Sequence, residues 1–258
     1  MLPEGWREVA AEEITDKITK GQSPKWQGFK YQKDGILFVT SENVRDGFLD
    51  IENKKFISIE FNEKIFSSHL HDGDILINIV GASIGRSCLF SGIHFSANIN
   101  QAVALFRVNK LACSRYIAYF FQLDKTIEIL TRTQTNSARQ NISLSDLRSF
   151  KIVLPPLPEQ EKIVAILSTW DKAISTTDAL LANRRQQKKA LMQQLLTGKR
   201  RLPGFTGEWI SRHLSEIGTT YTGITGKSKE DFGRGKFFIP YTNIFNNASV
   251  DINYLEKV

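Results

Sequence analysis

The sequence predicts an α+β protein: a sheet-rich first portion, then one long helix of coiled-coil type, then an incomplete second copy of the first portion. Three observations carry the prediction. Runs of β-branched and aromatic residues separated by Asp-Gly turns fill residues 35 to 108. From Pro158 to Gly198 there is neither proline nor glycine, and apolar residues return every three or four positions. Short signatures of the N-terminal part reappear about 200 residues later.

In the first portion the expected strands are Gly35 to Val39, Lys54 to Ile59, Asp74 to Val80, Ser87 to Phe90 and Ala102 to Val108. Asp34-Gly35, Asp46-Gly47 and Asp72-Gly73 mark turns. A mixed or mainly antiparallel sheet follows. Helical spacing then runs over Ser114 to Leu130, where Tyr116, Ile117, Phe120, Phe121 and Leu123 read as core, and over Ser145 to Phe150. Between them Thr131 to Ser143 is a polar loop with amides, guanidinium groups and no acid. Asn, Gln and Arg can pair with the edges of adenine and guanine, while Ser and Thr hydroxyls reach phosphate oxygens. The plain reading is a solvated loop; the functional one makes Gln134, Asn136, Arg139, Gln140 and Asn141 candidate DNA contacts.

Val80 to Ser87, VGASIGRS, is not a phosphate-cradling loop, because three residues separate Gly81 and Gly85 and Arg86 replaces the required Lys. Its glycines are expected to let backbone approach another surface, with Arg86 available to an anion.

Pro155, Pro156 and Pro158 end whatever precedes them and open the long helix. Its expected seam is Ile163, Leu167, Trp170, Ile174, Thr177, Leu181, Arg184, Lys188, Leu191 and Leu195, in alternating steps of four and three. Thr177, Arg184 and Lys188 interrupt the apolar line, and polar seam positions fix register or partner. At about 1.5 Å per residue the helix spans about 57 Å, too long for one compact neighbour to cover. Its length favours pairing with a second long helix, in this chain or another, over lying along its own domain.

The formal charge of +7 and pI near 9.3 suit a polyanionic partner. Arg184, Arg185, Lys188, Lys189, Lys199, Arg200 and Arg201 lie in a stretch that contains no acid. Cys88 and Cys113 have no disulfide-framework or zinc-type spacing, so no metal or cofactor is expected. Charges at Glu4, Arg7 and Glu8 argue against a signal peptide, and no apolar run reaches membrane-spanning length. A soluble cytoplasmic protein is the expectation.

The repeat aligns Glu4-Gly5-Trp6 with Gly207-Glu208-Trp209, Gly35 to Val44 with Gly235 to Ile244, Asn43 with Asn243, and Asp50-Ile51 with Asp251-Ile252. The expected organisation is 1–154 a sheet-rich domain, 155–200 the long helix, and 201–258 the start of a second copy of the domain.

LPPLPEQEKIVAIL, LLANRRQQKKALMQQLLTGKRRLPGF and the following GEW resemble the central region of specificity subunits of type I restriction-modification systems. DGDILINIVGASIGRSCLF, ANINQAVALFRV and SARQNISLSDLRSFKIVLPPLPEQ resemble the target recognition domains of the same family. The resemblance implies a non-catalytic subunit that reads half of a split double-stranded DNA target. It also implies assembly with methyltransferase subunits and, through them, a restriction-translocase subunit. A member with one domain and one helix is expected to form a homodimer through that helix. On this reading Lys25, Lys30, Arg45, Arg86, Arg107 and Arg139 are candidate phosphate contacts, and Asn78, Gln134, Asn136, Gln140 and Asn141 candidate base readers.

Two other classes compete. An amino methyltransferase needs an Asn/Asp-Pro-Pro-aromatic motif and a glycine-rich cofactor turn, and neither occurs. A nuclease needs clustered carboxylates; Glu52 behind Asp34 or Asp46 makes a poor cluster, and His69 and His71 read as surface residues. The third reading is an inactive remnant that binds modification subunits without reading DNA.

Overall fold

The computed structural model describes residues 2–93, 95–132 and 141–258. The chain divides into two compact units, Met1–Asn183 and Arg184–Val258.

Unit 1 is built on two sheets. The larger runs β2 (Thr15–Lys20), β8 (Val103–Val108), β5 (Asp74–Asn78), β6 (Ser87–Phe90), antiparallel throughout. The smaller runs β4 (Phe56–Ile57), β3 (Ile36–Val39), β7 (Ala97–Ile99), with β3 and β7 parallel. A separate pair joins β1 (Arg7–Ala10) to β9 (Lys151–Leu154) antiparallel, with Arg7 opposite Leu154. The helices are α1 (Ile59–Lys64), α2 (Ser114–Phe121), α3 (Asp124–Arg132), α4 (Leu144–Ser149) and α5 (Leu157–Leu195).

Strand periodicity sorts the core into layers. Successive residues of a strand face opposite sides. Ile75 and Ile77 of β5 therefore join Ile18, Ala104 and Phe106 against Ile117 and Phe121 of α2 and Leu147 of α4. Leu76, between them, joins Leu105, Cys88 and Phe90 against Leu37, Val39, Ala97 and Ile99 of the smaller sheet. On the far side of that sheet Phe38 meets Phe61 and Ile65. All five residues of β5 are buried, as befits a strand covered on both faces. The same burial pushes the Cys88 thiol up to about 12.

Several expected boundaries move. The strand expected over Lys54 to Ile59 shrinks to β4, because the Ser58 hydroxyl accepts a hydrogen bond from Phe61 N at 3.2 Å and caps α1. The helix expected over Ser114 to Leu130 breaks at Gln122 and Leu123 into α2 and α3, leaving Leu123 exposed. β1, β2, β7 and β9 lie outside the expected strands.

α5 is anchored at its first turn. Gln160 is 1% exposed; its Nε2 donates to Pro155 O at 2.8 Å, and its Oε1 accepts from Cys113 N, next to the start of α2, at 2.8 Å. Trp6 Nε1 donates to Glu159 Oε2 at 3.1 Å, and Ile163 and Val164 pack on the core.

In unit 2 the sequence repeat reappears as structure. β10 (Phe237–Phe238) pairs antiparallel with β11 (Glu256–Lys257), as β3 pairs with β4. α6 (Leu214–Ile217) and α7 (Tyr241–Asn246) are short. Asn43 Nδ2 donates to Asp50 O at 2.9 Å, and Asn243 Nδ2 to Asp251 O at 2.8 Å. Gly35 has φ of 124° and a Cβ there would lie 2.6 Å from Ile57 O; Gly235 has φ of 102° and would lie 2.6 Å from Val258 O. Both hairpins thus need glycine for the same two reasons, conformation and close approach. Covering differs: Leu37 is 2% exposed, its counterpart Phe237 66%, since residues 184–258 include no counterpart of β7 or β8.

We expect Gln160→Ala to strand two buried backbone groups, costing about 2 kcal/mol. Its melting temperature should fall by about 4–8 °C, checked by thermal denaturation of the full chain.

Candidate nucleic-acid interface

Strand directions gather four connections at one end of unit 1. β2 and β5 finish opposite Ala104 and Val103, where β8 begins, and β6 starts opposite Ile77. The parallel strands β3 and β7 end there too, joined by Asn100 N donating to Val39 O at 2.9 Å. Residues 21–35, 40–55, 79–86 and 100–102 therefore all leave from that end. Asn141, exposed, bridges to Val80 there as well.

The loops are held from beneath by asparagines. Asn43 Oδ1 accepts from Thr40 N at 2.9 Å and Thr40 Oγ1 at 3.0 Å. Asn100 Oδ1 accepts from Ala102 N at 3.1 Å. Asn78 Nδ2 donates to Ser41 O at 2.9 Å and to Ser83 Oγ at 3.0 Å.

The cations of this end are largely paired with acids of the same loops. Arg45 Nη2 lies 3.2 Å from Asp50 Oδ2, Arg86 Nε 3.5 Å from Asp46 Oδ2, and Lys55 Nζ 2.6 Å from Glu42 Oε2. The Lys55 ammonium, by hydrogen bond and then by charge, lowers the Glu42 carboxyl pKa below its usual value. The Asp50 carboxyl is lowered first by the hydrogen bond from Glu52 N and then by Arg45. Exposed pairs of this kind are worth little in water, so a phosphate can displace the carboxylates cheaply. Lys25 and Lys30, on the 21–35 connection, are exposed and have no ion pair among the described residues.

Two candidates from the sequence are corrected. Asn78 is 0% exposed and its amide is committed to the loops above it, so it cannot present an edge to a base. Arg107 makes a bidentate pair with the buried carboxylate of Asp74, at 2.7 and 2.8 Å, and also donates to His69 O. That pairing raises the guanidinium pKa and removes Arg107 from the phosphate contacts, since parting a buried pair costs about 3–5 kcal/mol. Gln134, Asn136, Arg139 and Gln140 lie outside the described residues. His69 Nε2 bonds to Asn62 O at 2.9 Å, a structural role, and no group of three metal-binding side chains occurs among the described residues. Gly81 and Gly85 have φ of 87° and 86°, which favours glycine at both; a Cβ would meet open space at Gly81 and lie 3.1 Å from the Ile127 side chain at Gly85.

Within unit 1 the expected helix seam splits into two stripes. Gln160, Val164, Leu167, Asp171, Ile174 and Asp178 turn toward their own domain. Leu167 lines a groove of about 790 Å³ with Tyr116, Phe120 and Phe150. Ile174 lines another of about 510 Å³ with Phe48 and Arg115. The Tyr119 hydroxyl donates to Asp171, and burial followed by that contact raises its pKa. A second stripe about 120° round the helix, Ile166, Trp170, Ala173, Thr177 and Leu180, is uncovered, with Trp170 66% exposed, and Ile174 on the first stripe still keeps 59% of its surface exposed. Leu181 also remains exposed. Leu191 and Leu195, in unit 2, line a shallow apolar groove with Met192, Leu196 and the stems of Arg184 and Lys188. No helix among the described residues is long and apolar enough to cross a membrane.

Paired sheets with cationic loops at one end, followed by a helix with an open apolar stripe, have the build of a recognition module. The family model for type I restriction modification DNA specificity domains matches residues 3–183, nearly all of unit 1, and the chain belongs to that family. The chain is 28% identical over 171 residues to the type I restriction enzyme EcoBI specificity subunit of Escherichia coli, covering 64% of this chain and 34% of that protein. It is 27% identical over 197 residues to the type I restriction enzyme MjaVIII specificity subunit of Methanocaldococcus jannaschii, covering 76% and 43%. Among solved structures, one from work on the assembly and conformational transition of the type I R-M system superposes with a TM-score of 0.55 at 24% identity, over 75% of this chain and 45% of that one. The chain thus spans less than half the length of these relatives.

Asp46→Asn should release Arg86 and raise affinity for random-sequence duplex by about two- to fivefold. The salt dependence should steepen by up to about 0.9 in log–log slope. Anisotropy titrations at two or more salt concentrations measure both.

Proposed function

We propose that unit 1 reads one half of a split double-stranded DNA target with the loop end described above. The observation that carries the reading is the convergence of four connections, with Lys25, Lys30, Arg45, Arg86 and Asn141 on or beside them, in the stretch that matches the DNA specificity family. Phosphate contacts by the cations would fix register, and the amides would read edges. Gln134, Asn136, Arg139 and Gln140 belong to the same proposal through their sequence position beside Asn141. In this reading 1–154 is the recognition domain, 155–200 the spacer helix and 201–258 the beginning of a second recognition domain. The chain docks methyltransferase subunits, with a restriction-translocase subunit joining through them, and the assembly works in the cytoplasm.

Two copies would pair through α5, antiparallel. The helix is polarised: Glu159, Glu161 and Asp171 outnumber Lys162 and Lys172 in its first half, whereas in its second half Arg184, Arg185, Lys188 and Lys189 follow the single acid Asp178. Parallel pairing would set cations against cations; antiparallel pairing sets them against the acidic half. The uncovered stripe Ile166–Trp170–Ala173–Thr177–Leu180 keeps the heptad spacing and supplies the contact. A helix of 39 residues spans about 58 Å, comparable with about 17 base pairs, and would set the distance between half-sites.

Expressed with modification subunits and no other specificity subunit, the chain should direct methylation to a symmetric split motif, read by genome-wide methylation mapping. Absence of any motif would favour a protein that occupies modification subunits without reading DNA. For pairing, Trp170→Glu should convert a dimer into a monomer in sedimentation velocity with a melting temperature within about 2 °C of the parent, because an exposed side chain is changed. A parent chain that is already monomeric overturns the pairing.

A further inference from the structure

Asn78 is a poor choice for a buried position unless it does something that an apolar residue cannot. It stands at the last position of β5, fully buried. Its Oδ1 is desolvated with no partner among the described residues, which is an energetic cost with no local return. Its Nδ2 makes all of its contacts: Ser41 O at 2.9 Å, Ser83 Oγ at 3.0 Å and a longer approach to Val44 O at 3.4 Å. The backbone is committed as well, Asn78 N donating to Arg86 O and Asn78 O accepting from Gly85 N, both at 2.8 Å. One side chain therefore ties the loop that carries Arg45 to the loop that carries Arg86. Among the described residues the two loops are otherwise joined by the exposed Arg86–Asp46 pair at 3.5 Å and by Gly47 N donating to Ser87 O, just past the second loop, at 2.9 Å.

The orientation of the amide is not interchangeable. Turning it over would point a carbonyl oxygen at Ser41 O and Val44 O, which are acceptors. The position requires a donor directed at two loops at once, and among buried side chains of this size asparagine alone supplies one without charge.

We propose that Asn78 is a positioning residue for sequence discrimination: by holding the 40–46 and 81–86 loops at a fixed separation it sets where Arg45 and Arg86 meet DNA, without touching DNA itself. This rests on the reading of the loop end as the DNA-contacting face. A cation that swings freely still finds a phosphate, so loosening the two loops leaves non-specific affinity and its salt dependence intact. Base reading is different: phosphate contacts by Arg45 and Arg86 fix the register at which the amides meet base edges, and edge pairing needs donors and acceptors held to a fraction of an ångström. Loss of the tie therefore shows as lost discrimination and not as lost binding.

The experiment uses the full chain assembled with its modification subunits and compares Asn78→Ala, Ser83→Ala and Ser83→Thr with the parent. Ser83 is half-buried on the loop, so its replacement leaves the core untouched and decides the matter if the Asn78 variant fails to fold. The expected result is a fall of about tenfold in the ratio of specific to random-duplex affinity for Asn78→Ala. Ser83→Ala should show a smaller fall in the same direction, and Ser83→Thr, which keeps the hydroxyl, none. Salt slopes stay unchanged, and hydrogen exchange quickens at 40–48 and 81–86 but not in β5 or β8. Discrimination equal to the parent in Ser83→Ala and in any folded Asn78 variant overturns the positioning role while leaving the DNA reading in place. A parent that shows no discrimination at all overturns the DNA reading and this inference with it.

Discussion

Everything in unit 1 follows from burying the larger sheet on both faces. β5 has Ile75 and Ile77 under helices and Leu76 under the second sheet, so no strand side chain in its middle is free for chemistry. At roughly 1.5–3 kcal/mol for each large apolar side chain fully buried, neither covering layer can be spared. Function is thereby expelled to the strand ends, and the directions of β2, β3, β5 and β7 decide that one end collects four connections. The even alternation that builds the core also places Asn78 at the last position of β5, where a buried polar side chain meets loop backbone and not another layer.

The long helix obeys a different constraint. Its first turn is fixed by Gln160, whose two hydrogen bonds need both the chain entering from β9 and the start of α2. Once that azimuth is set, the 3.6-residue period assigns every later side chain to a direction. Leu167, Asp171 and Ile174 then face the domain and Trp170 and Leu180 face away. A stripe that looked like one seam serves two purposes, partial packing at home and an uncovered surface outward.

The two copies of the Gly35–Asn43–Asp50 hairpin show how much local sequence achieves before any sheet is completed. Asn243 closes its turn with nearly the same distances as Asn43, and Gly235 meets a carbonyl as Gly35 does. What differs is burial, because Leu37 has β7 beside it and a second sheet above it, whereas Phe237 has neither.

The sequence by itself determined the features whose causes are local. These are the apolar strands at Ile36–Val39 and Ser87–Phe90, the proline entry and length of α5, the repeat, and the family. Tertiary structure decided the rest, and in each case the cause is a partner far along the chain. β1 and β9 pair across more than a hundred residues, and nothing local to Ile152-Val153-Leu154 names Arg7–Ala10 as its partner. Arg107 was legible as a cation but not as the partner of buried Asp74, and Asn78 as an amide but not as a buried tie between loops. Which residues of a heptad face outward is likewise invisible in the spacing, because periodicity fixes angles between side chains while only a docked first turn fixes the angle of the helix to its domain.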